Sequence, residues 1–289
     1  MKMGILDGRK IVITGGSMGI GLTVAQECAK EGASLILISR HYGDLEKAVA
    51  IIGDKQTHSY YSLDVSMPAE VSKMATKVAK DWVSIDGLVN CAGIYGPIGT
   101  FDKIDPAEFA HTIEINLLGT FYMCHYFLPL LRKSKRAKIV NYSGGGAAGP
   151  FPNYSAYAVS KAAIVRLTEN MAVELKSENI DINAIAPGFV VTRLHQETLS
   201  AGTKAGEDFL KKTAEQIAKG SVPPSVPAAL TVFLLSPASD GVTGKFISAP
   251  WDPWQTPDFV AMLKADPDFA ALRRIDNKMF CKVNSPASK

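Results

Sequence analysis

The sequence predicts a doubly wound, Rossmann-like parallel α/β fold, and three observations carry that prediction. Short apolar, β-branched runs alternate with longer segments of helical period, the rhythm of βαβ units on a parallel sheet. The runs lack strict polar alternation, as expected for strands covered on both faces. The first of them runs straight into a glycine-rich turn, Thr14-Gly15-Gly16-Ser17-Met18-Gly19-Ile20-Gly21, which opens an amphipathic segment carrying Val24, Ala25, Cys28 and Ala29.

Taken in chain order, strands are predicted at Lys10 to Thr14, Ser34 to Ser39, His58 to Leu63, Gly87 to Asn90, Ala137 to Tyr142, Asp181 to Ala186 and about Gly244 to Ile247. The intervening helices are predicted to begin near Gly19, Leu45, Pro68, Pro106, Tyr154 and Pro227, where a proline or an N-capping residue often marks the entry. Two regions depart from this rhythm. Residues 192–224 follow a strand end and are rich in Lys, Glu, Gly and Ala, so they read as a mobile helix-loop lid over the carboxyl edge of the sheet. From Trp251 onward, short helices are expected at Pro257 and Pro267, capped by Thr256 and Asp266. The expected organisation is a main domain over residues 1–250, with 192–224 as its lid, and an extension over 251–289 packed against it.

Composition narrows the function classes. With 47% hydrophobic and 20% charged residues, the 289-residue chain can build one extended core, which excludes wholesale disorder, collagen and a small disulfide scaffold. Lys and Arg number 31 against 28 Asp and Glu, a net charge of +3, which gives no reason to expect nucleic acid as a partner. Cys28, Cys91, Cys124 and Cys281 form no CxxC pair, and the five histidines show no ligand spacing, so no metal is expected. No apolar stretch approaches the roughly 18 residues of a membrane span, and Met1 to Lys10 leaves no room for a signal peptide. A reducing cytoplasm, with no membrane partner, is the expected location.

The glycine turn lets backbone N–H groups approach a pyrophosphate at a helix N-terminus. After the second strand, Ser39-Arg40 stands where a dinucleotide fold meets the adenosine ribose. An acidic residue there would bond the 2′-hydroxyl and repel a 2′-phosphate. A small neutral donor followed by a planar cation favours NADP(H) over NAD(H) instead. Farther along, Tyr157 and Lys161 place a phenol and an ammonium on one helix face. A neighbouring cation stabilises a phenolate and eases proton exchange with an alcohol or carbonyl.

These residues resemble the short-chain dehydrogenase/reductase superfamily over about Gly4 to Ile247. The resemblance rests on TGxxxGIG at Thr14 to Gly21, Asp64-Val65, Asn90-Cys91-Ala92-Gly93, Asn116 within Asn116-Leu117-Leu118-Gly119, Tyr157-x-x-x-Lys161, and Pro187-Gly188 with Thr192. It implies a cofactor site formed by Gly15, Ser17, Met18, Gly19, Ile20, Gly21, Ser39, Arg40, Asp64, Val65, Asn90, Ala92, Gly93, Pro187, Gly188, Val190 and Thr192. Tyr157 then exchanges the proton, Lys161 bonds the nicotinamide ribose, and Asn116 holds a water in a relay to Lys161. A homodimer or homotetramer is also implied, with the helices bearing Asn116 and Tyr157 at an interface.

One position departs from the pattern. The family serine, thirteen residues before the tyrosine, is replaced by Gly144, while Ser143 stands one place earlier in Asn141-Tyr142-Ser143-Gly144-Gly145-Gly146. Strand alternation would turn Ser143 away from a substrate, whereas a glycine bulge would redirect it to serve as the catalytic oxygen donor. Asn153, Ser155 or a backbone N–H of the loop are the other candidates. The basic run from Arg132 to Lys138 reads as a solvated corner; Trp251 to Trp254 reads either as cover for the substrate mouth or as aromatic burial. The expected activity is reversible hydride transfer between NADP(H) and a carbonyl/alcohol pair. A redox sensor or scaffold is the alternative, suggested by Gly144 and opposed by the intact Asn116, Tyr157 and Lys161.

Overall fold

The computed structural model describes residues 4–53 and 56–274. The chain opens with β1 (Lys10–Thr14), α1 (Gly19–Lys30), β2 (Ser34–Ser39), α2 (Tyr42–Ile52) and β3 (His58–Ser62). It continues through α3 (Pro68–Asp81), β4 (Gly87–Asn90), α4 (Pro106–Ile113), a π-helical turn at Glu114–Leu118, α5 (Gly119–Leu131) and β5 (Ala137–Tyr142). Then follow α6 (Ser155–Glu174), β6 (Ile180–Ala186), α7 (Arg193–Ala201), α8 (Glu207–Lys219), α9 (Ser225–Leu235), β7 (Lys245–Ser248) and α10 (Pro257–Ala265).

The seven strands form one sheet in the order β3-β2-β1-β4-β5-β6-β7, and every pair is parallel. Successive side chains face opposite sides, so Ile11 and Ile13 join a core with Val24, Cys28, Leu230 and Leu234, while Val12 joins another with Val71, Val78, Met123 and Phe127. Burial on both faces is why the strands read as continuous apolar runs. Winding reverses between β1 and β4, which opens a crevice at their carboxyl ends.

Local signals set the helices. In α3, Pro68 occupies the first turn, and Val71, Met74, Ala75 and Val78 form the buried stripe. Asp105 caps α4 by accepting from the Ala107 N–H at 2.7 Å. Most boundaries fall as predicted; α2 begins earlier, at Tyr42, as does α9, at Ser225, α6 begins one residue later, at Ser155, β3 stops at Ser62, β6 starts at Ile180 and β7 starts at Lys245. The expected helix at Pro267 is a turn instead. Asp266 Oδ1 accepts from the Asp268 N–H at 2.9 Å, and Ala270 takes φ 52°, outside helical geometry. At α10, Thr256 makes no side-chain cap; its hydroxyl donates to the Pro253 carbonyl.

Residues on both sides of α10 cover the β7 edge. The Phe246 N–H donates to the Ala270 carbonyl at 2.7 Å, and the Ser248 N–H to Asp252 Oδ2 at 2.7 Å, so donors on this edge strand are engaged. The buried Glu169 of α6 is paired with Arg166 and with Arg273, and it accepts from the Leu272 N–H at 3.0 Å. Trp254 is buried beside Phe233 with its indole N–H on the Ala249 carbonyl, whereas Trp251 is exposed. Cys281 lies outside the described residues. Among those described, no helix is long and apolar enough to cross a membrane.

The basic run is not simply a solvated corner. Arg132 grips Glu178, but Lys138 is fully buried and lies 2.7 Å from both Asp181 and Asp240. β5 is an interior strand, so Lys138 can be inside only with carboxylate partners. Asp181→Ala is expected to lower stability by about 2 kcal/mol, because it removes the buried one of the two carboxylates facing Lys138, along with its bonds from Arg136 and the Gly241 N–H, and leaves only the more exposed Asp240. Urea unfolding of the variant tests this, and a loss below about 1 kcal/mol would contradict it.

Candidate active site

The crevice between β1 and β4 forms a groove lined by Gly15, Ser17 to Gly21, Ile38 to His41, Leu63 to Val65, Cys91 to Ile94, Ile115 and Thr192 to Leu194. Gly15 has φ 67°, and a Cβ there would stand 3.0 Å from the Ala92 nitrogen, so glycine is what allows the turn to lie on the β4 loop. Thr14 Oγ1 accepts from the Cys91 and Ala92 N–H groups at 3.1 and 3.2 Å and pins the two loops together. No side chain caps α1, which leaves its first-turn amides directed at the groove. Ser39 Oγ is buried without a hydrogen-bond partner, and Arg40 beside it is exposed. Among the described residues Arg40 pairs with no carboxylate. Free amides, an orphaned hydroxyl and an available guanidinium fit an anionic dinucleotide.

Most of the expected cofactor residues line this groove; Asn90, Pro187, Gly188 and Val190 do not, nor do Tyr157 and Lys161, which lie on α6. Asn90 turns inward, donating to Asn141 Oδ1 at 2.9 Å and approaching Cys124 Sγ at 3.3 Å, because it closes an interior strand rather than a loop. Pro187, Gly188 and Val190 lie outside the groove. Val190 is buried, and Gly188 packs closely on Pro250; only Thr192 carries the β6 loop to the groove. Asp64 lines it while accepting from the Ser66 N–H and hydroxyl.

Tyr157 and Lys161 lie on the buried face of α6. The Lys161 ammonium stands 5.5 Å from the Tyr157 ring centroid and donates to the Tyr142 carbonyl at 2.8 Å. Burial lowers the Lys161 pKa to about 8, with Cys91 acting weakly in the opposite sense. Burial raises the Tyr157 pKa well above that of an ordinary phenol. Asn116 sits in the π-helical turn. Its side chain accepts from the Ile94 N–H and donates to the Ile94 carbonyl and Ser160 Oγ, each at 2.9 Å. The side chain thus clamps the β4 loop to α6.

The expectation that glycines redirect Ser143 toward the substrate is corrected. The Ser143 N–H continues the ladder to Ile185, so strand alternation persists, and Ser143 Oγ donates to the Lys161 carbonyl at 2.9 Å. Gly144 is the residue that faces the tyrosine: a Cβ there would stand 2.5 Å from the Tyr157 hydroxyl oxygen. That oxygen occupies the space into which a side chain at position 144 would project. Asn153, another candidate donor, adopts φ 66° and directs its amide toward Gly206, before α8. Sequence reasoning missed His41, Arg193 and Leu194 in the groove and Tyr95 and His195 near Tyr157. Arg193 and Leu194 were signalled only by adjacency to Thr192, and Tyr95 by adjacency to the β4 motif.

A family model described as enoyl-(acyl carrier protein) reductase matches residues 15–249. A 2-(S)-hydroxypropyl-CoM dehydrogenase of Xanthobacter autotrophicus is 30% identical over 241 residues, covering 83% of this chain and 94% of that protein. The structure of NAD+-bound xylitol dehydrogenase aligns with a TM-score of 0.78 and 29% identity, covering 84% of this chain and 98% of that one. A short chain dehydrogenase from Escherichia coli CFT073 complexed with NADPH aligns with a TM-score of 0.75 and 27% identity, covering 86% and 100%. The chain belongs to the short-chain dehydrogenase/reductase superfamily. It is an oxidoreductase of alcohol and carbonyl groups built on a nicotinamide-cofactor fold.

Because Ser143 bonds helix backbone, Ser143→Ala should leave kcat within about twofold of wild type while costing about 1 kcal/mol of stability. Steady-state kinetics and urea unfolding on the same preparation check both halves. A large fall in kcat at unchanged stability would return Ser143 to the chemistry.

Proposed function

We propose that the protein is an NADP(H)-preferring oxidoreductase that interconverts a carbonyl and a secondary alcohol, with Tyr157 exchanging the proton at the substrate oxygen. The observation that carries the reading is the buried Tyr157 hydroxyl, placed against Gly144 and beside Lys161. A bound nicotinamide supplies the hydride. Lys161 orients the ribose and, as an ammonium, favours proton release from the phenol. Asn116 fixes the β4 loop relative to α6 and so positions Lys161. The loop backbone around Gly144 takes over the orienting role of the missing serine.

Cofactor preference rests on Ser39 and Arg40: the orphaned hydroxyl and the exposed guanidinium suit a 2′-phosphate. Residues 192–224 serve as the substrate lid, and the extension from 251 braces the main domain. The protein works in the cytoplasm as a homodimer or homotetramer. Support for self-association comes from α5, where Phe121, 41% exposed, stacks on His125 beside Tyr122 and Tyr126.

NADPH should bind at least about tenfold more tightly than NADH, and Arg40→Asp should reverse the order. Fluorescence titration of both cofactors decides, and equal wild-type affinities would sink the preference. Tyr157→Phe should retain cofactor binding and lose at least about a thousandfold in turnover; substantial residual turnover would place the proton elsewhere.

Lys161, with its pKa near 8, is an ammonium below that pH and an amine above it. The reductive kcat/KM should therefore decline as pH rises through about 8. In Lys161→Arg, whose charge persists, any residual activity should lack that limb. A wild-type profile flat from pH 7 to about 9.5 would contradict the assignment.

A further inference from the structure

The rings beside Tyr157 form a wall that proton exchange alone does not require. Tyr95 meets Tyr157 edge-on, with centroids 4.8 Å apart, and Tyr154 at 5.1 Å. Phe151 stacks on Tyr154 at 4.4 Å, and Phe209 of α8 closes on both. From α7, His195 places its ring 4.1 Å from Phe189 and 6.1 Å from Tyr95. Thr198, one turn farther along α7, is fully buried and takes a hydrogen bond from the Tyr154 hydroxyl at 2.9 Å. Tyr95 packs edge-on against that same Tyr154 ring. The inner face of α7 is thereby fixed to the tyrosines, and His195 with it.

His195 is 8% exposed, and its Nδ1 is buried with no hydrogen-bond partner. An unpaired buried polar atom costs about 1–3 kcal/mol, so one that stands across the Tyr95 ring from Tyr157 calls for a partner, and a bound ligand supplies it. Burial also lowers the imidazole pKa to about 4, which keeps the ring neutral and able to offer either an acceptor or a donor. The surrounding rings present flat apolar faces and bring no charge to balance an anion.

We propose that His195 is a specificity-determining residue that hydrogen-bonds a second oxygen on the substrate, and that the substrate is a flat, uncharged cyclic or aryl ketone, or the corresponding alcohol. The inference rests on the Tyr157 reading. The reacting oxygen lies at Tyr157, the second hydroxyl or carbonyl at His195, and the ring body against Tyr95 and Phe189. A site built to bond an oxygen discriminates against the analogue that lacks it, because the imidazole is then left unpaired.

The test is kcat/KM with NADPH for acetophenone against its three ring-hydroxylated forms, and for cyclohexanone against the cyclohexanediones, with 3-oxobutanoate as an acyclic anionic control. In wild type at least one oxygenated member should exceed its parent about tenfold or more. In His195→Phe and His195→Leu that ratio should fall to within about twofold of unity, and His195→Gln, which keeps a hydrogen-bonding group, should restore part of it. The ratio is the readout, so a general loss of rate does not mimic the effect. If one variant fails to bind NADPH, the other carries the test.

Survival of the ratio in the folded variants overturns the role of His195. Preference for 3-oxobutanoate, or no turnover of any cyclic ketone, overturns the substrate class. Turnover that persists in Tyr157→Phe signals failure of the underlying reading instead, since it is independent of the ratio.

Discussion

A reciprocal pair of hydrogen bonds between the end of β5 and α6 sets the geometry on which the site depends. Lys161 sends its ammonium to the Tyr142 carbonyl, and Ser143 sends its hydroxyl back to the Lys161 carbonyl. Neighbouring strand residues thus bind one helix residue from both directions, and the two ties are redundant: with the Ser143 hydroxyl removed, the Lys161 bond and the buried face of α6 still seat the helix. Tyr157, one turn earlier on the same face, inherits its position. Ser143 is consumed by this lock, and Gly144 leaves room for the tyrosine hydroxyl. The missing family serine and the present neighbouring serine therefore have separate causes, one steric and one architectural.

The same burial acts on the two titrating groups in opposite chemical directions. It keeps the proton on Tyr157 and loosens the proton on Lys161, because each neutral form is favoured where water is excluded. The Tyr142 carbonyl is a dipole and offers Lys161 no countercharge. The pair is consequently poised: a phenol held neutral stands beside an amine whose charge is available near physiological pH. Asn116 adds no charge to this balance. Its side-chain amide bonds Ile94 and Ser160, and the π-helical turn is what aims it there.

Features that depend on backbone and local period were legible in the sequence. The interior strands announced themselves as apolar runs because both faces are covered, and the glycine turn did so because only glycine fits at Gly15. The Tyr157 and Lys161 spacing was visible because a helix imposes it. What escaped detection depends on distant side chains. Asn90 was expected to line the cofactor groove, but its side chain turns inward from the end of its strand and pairs with Asn141. Lys138 looked solvated until Asp181 and Asp240 met it from other elements. Pro267 carried a helix-start signal that the Asp266 turn overrides. The cofactor half of the site uses turn amides and glycine spacing, so a motif can report it. The ring wall of Tyr95, Tyr154, Phe189, His195 and Phe209 is assembled from the β4 and β6 loops, the approach to α6, and α7 and α8, and no spacing links them.

The extension beyond β7 bears on the same helix from its far end. Glu169 lies two turns past Lys161 and is held by Arg166, Arg273 and the Leu272 N–H. Phe246 of β7 meanwhile donates to Ala270 in that same strap. A helix held only near Tyr157 could pivot about the β5 lock, and a small rotation there would displace the hydroxyl relative to the groove. Anchoring at Glu169 opposes the pivot, because the strap is itself tied to the sheet edge. The extension thus bears on the Tyr157 end of α6 without approaching it: it fixes one end of the lever whose other end carries that phenol.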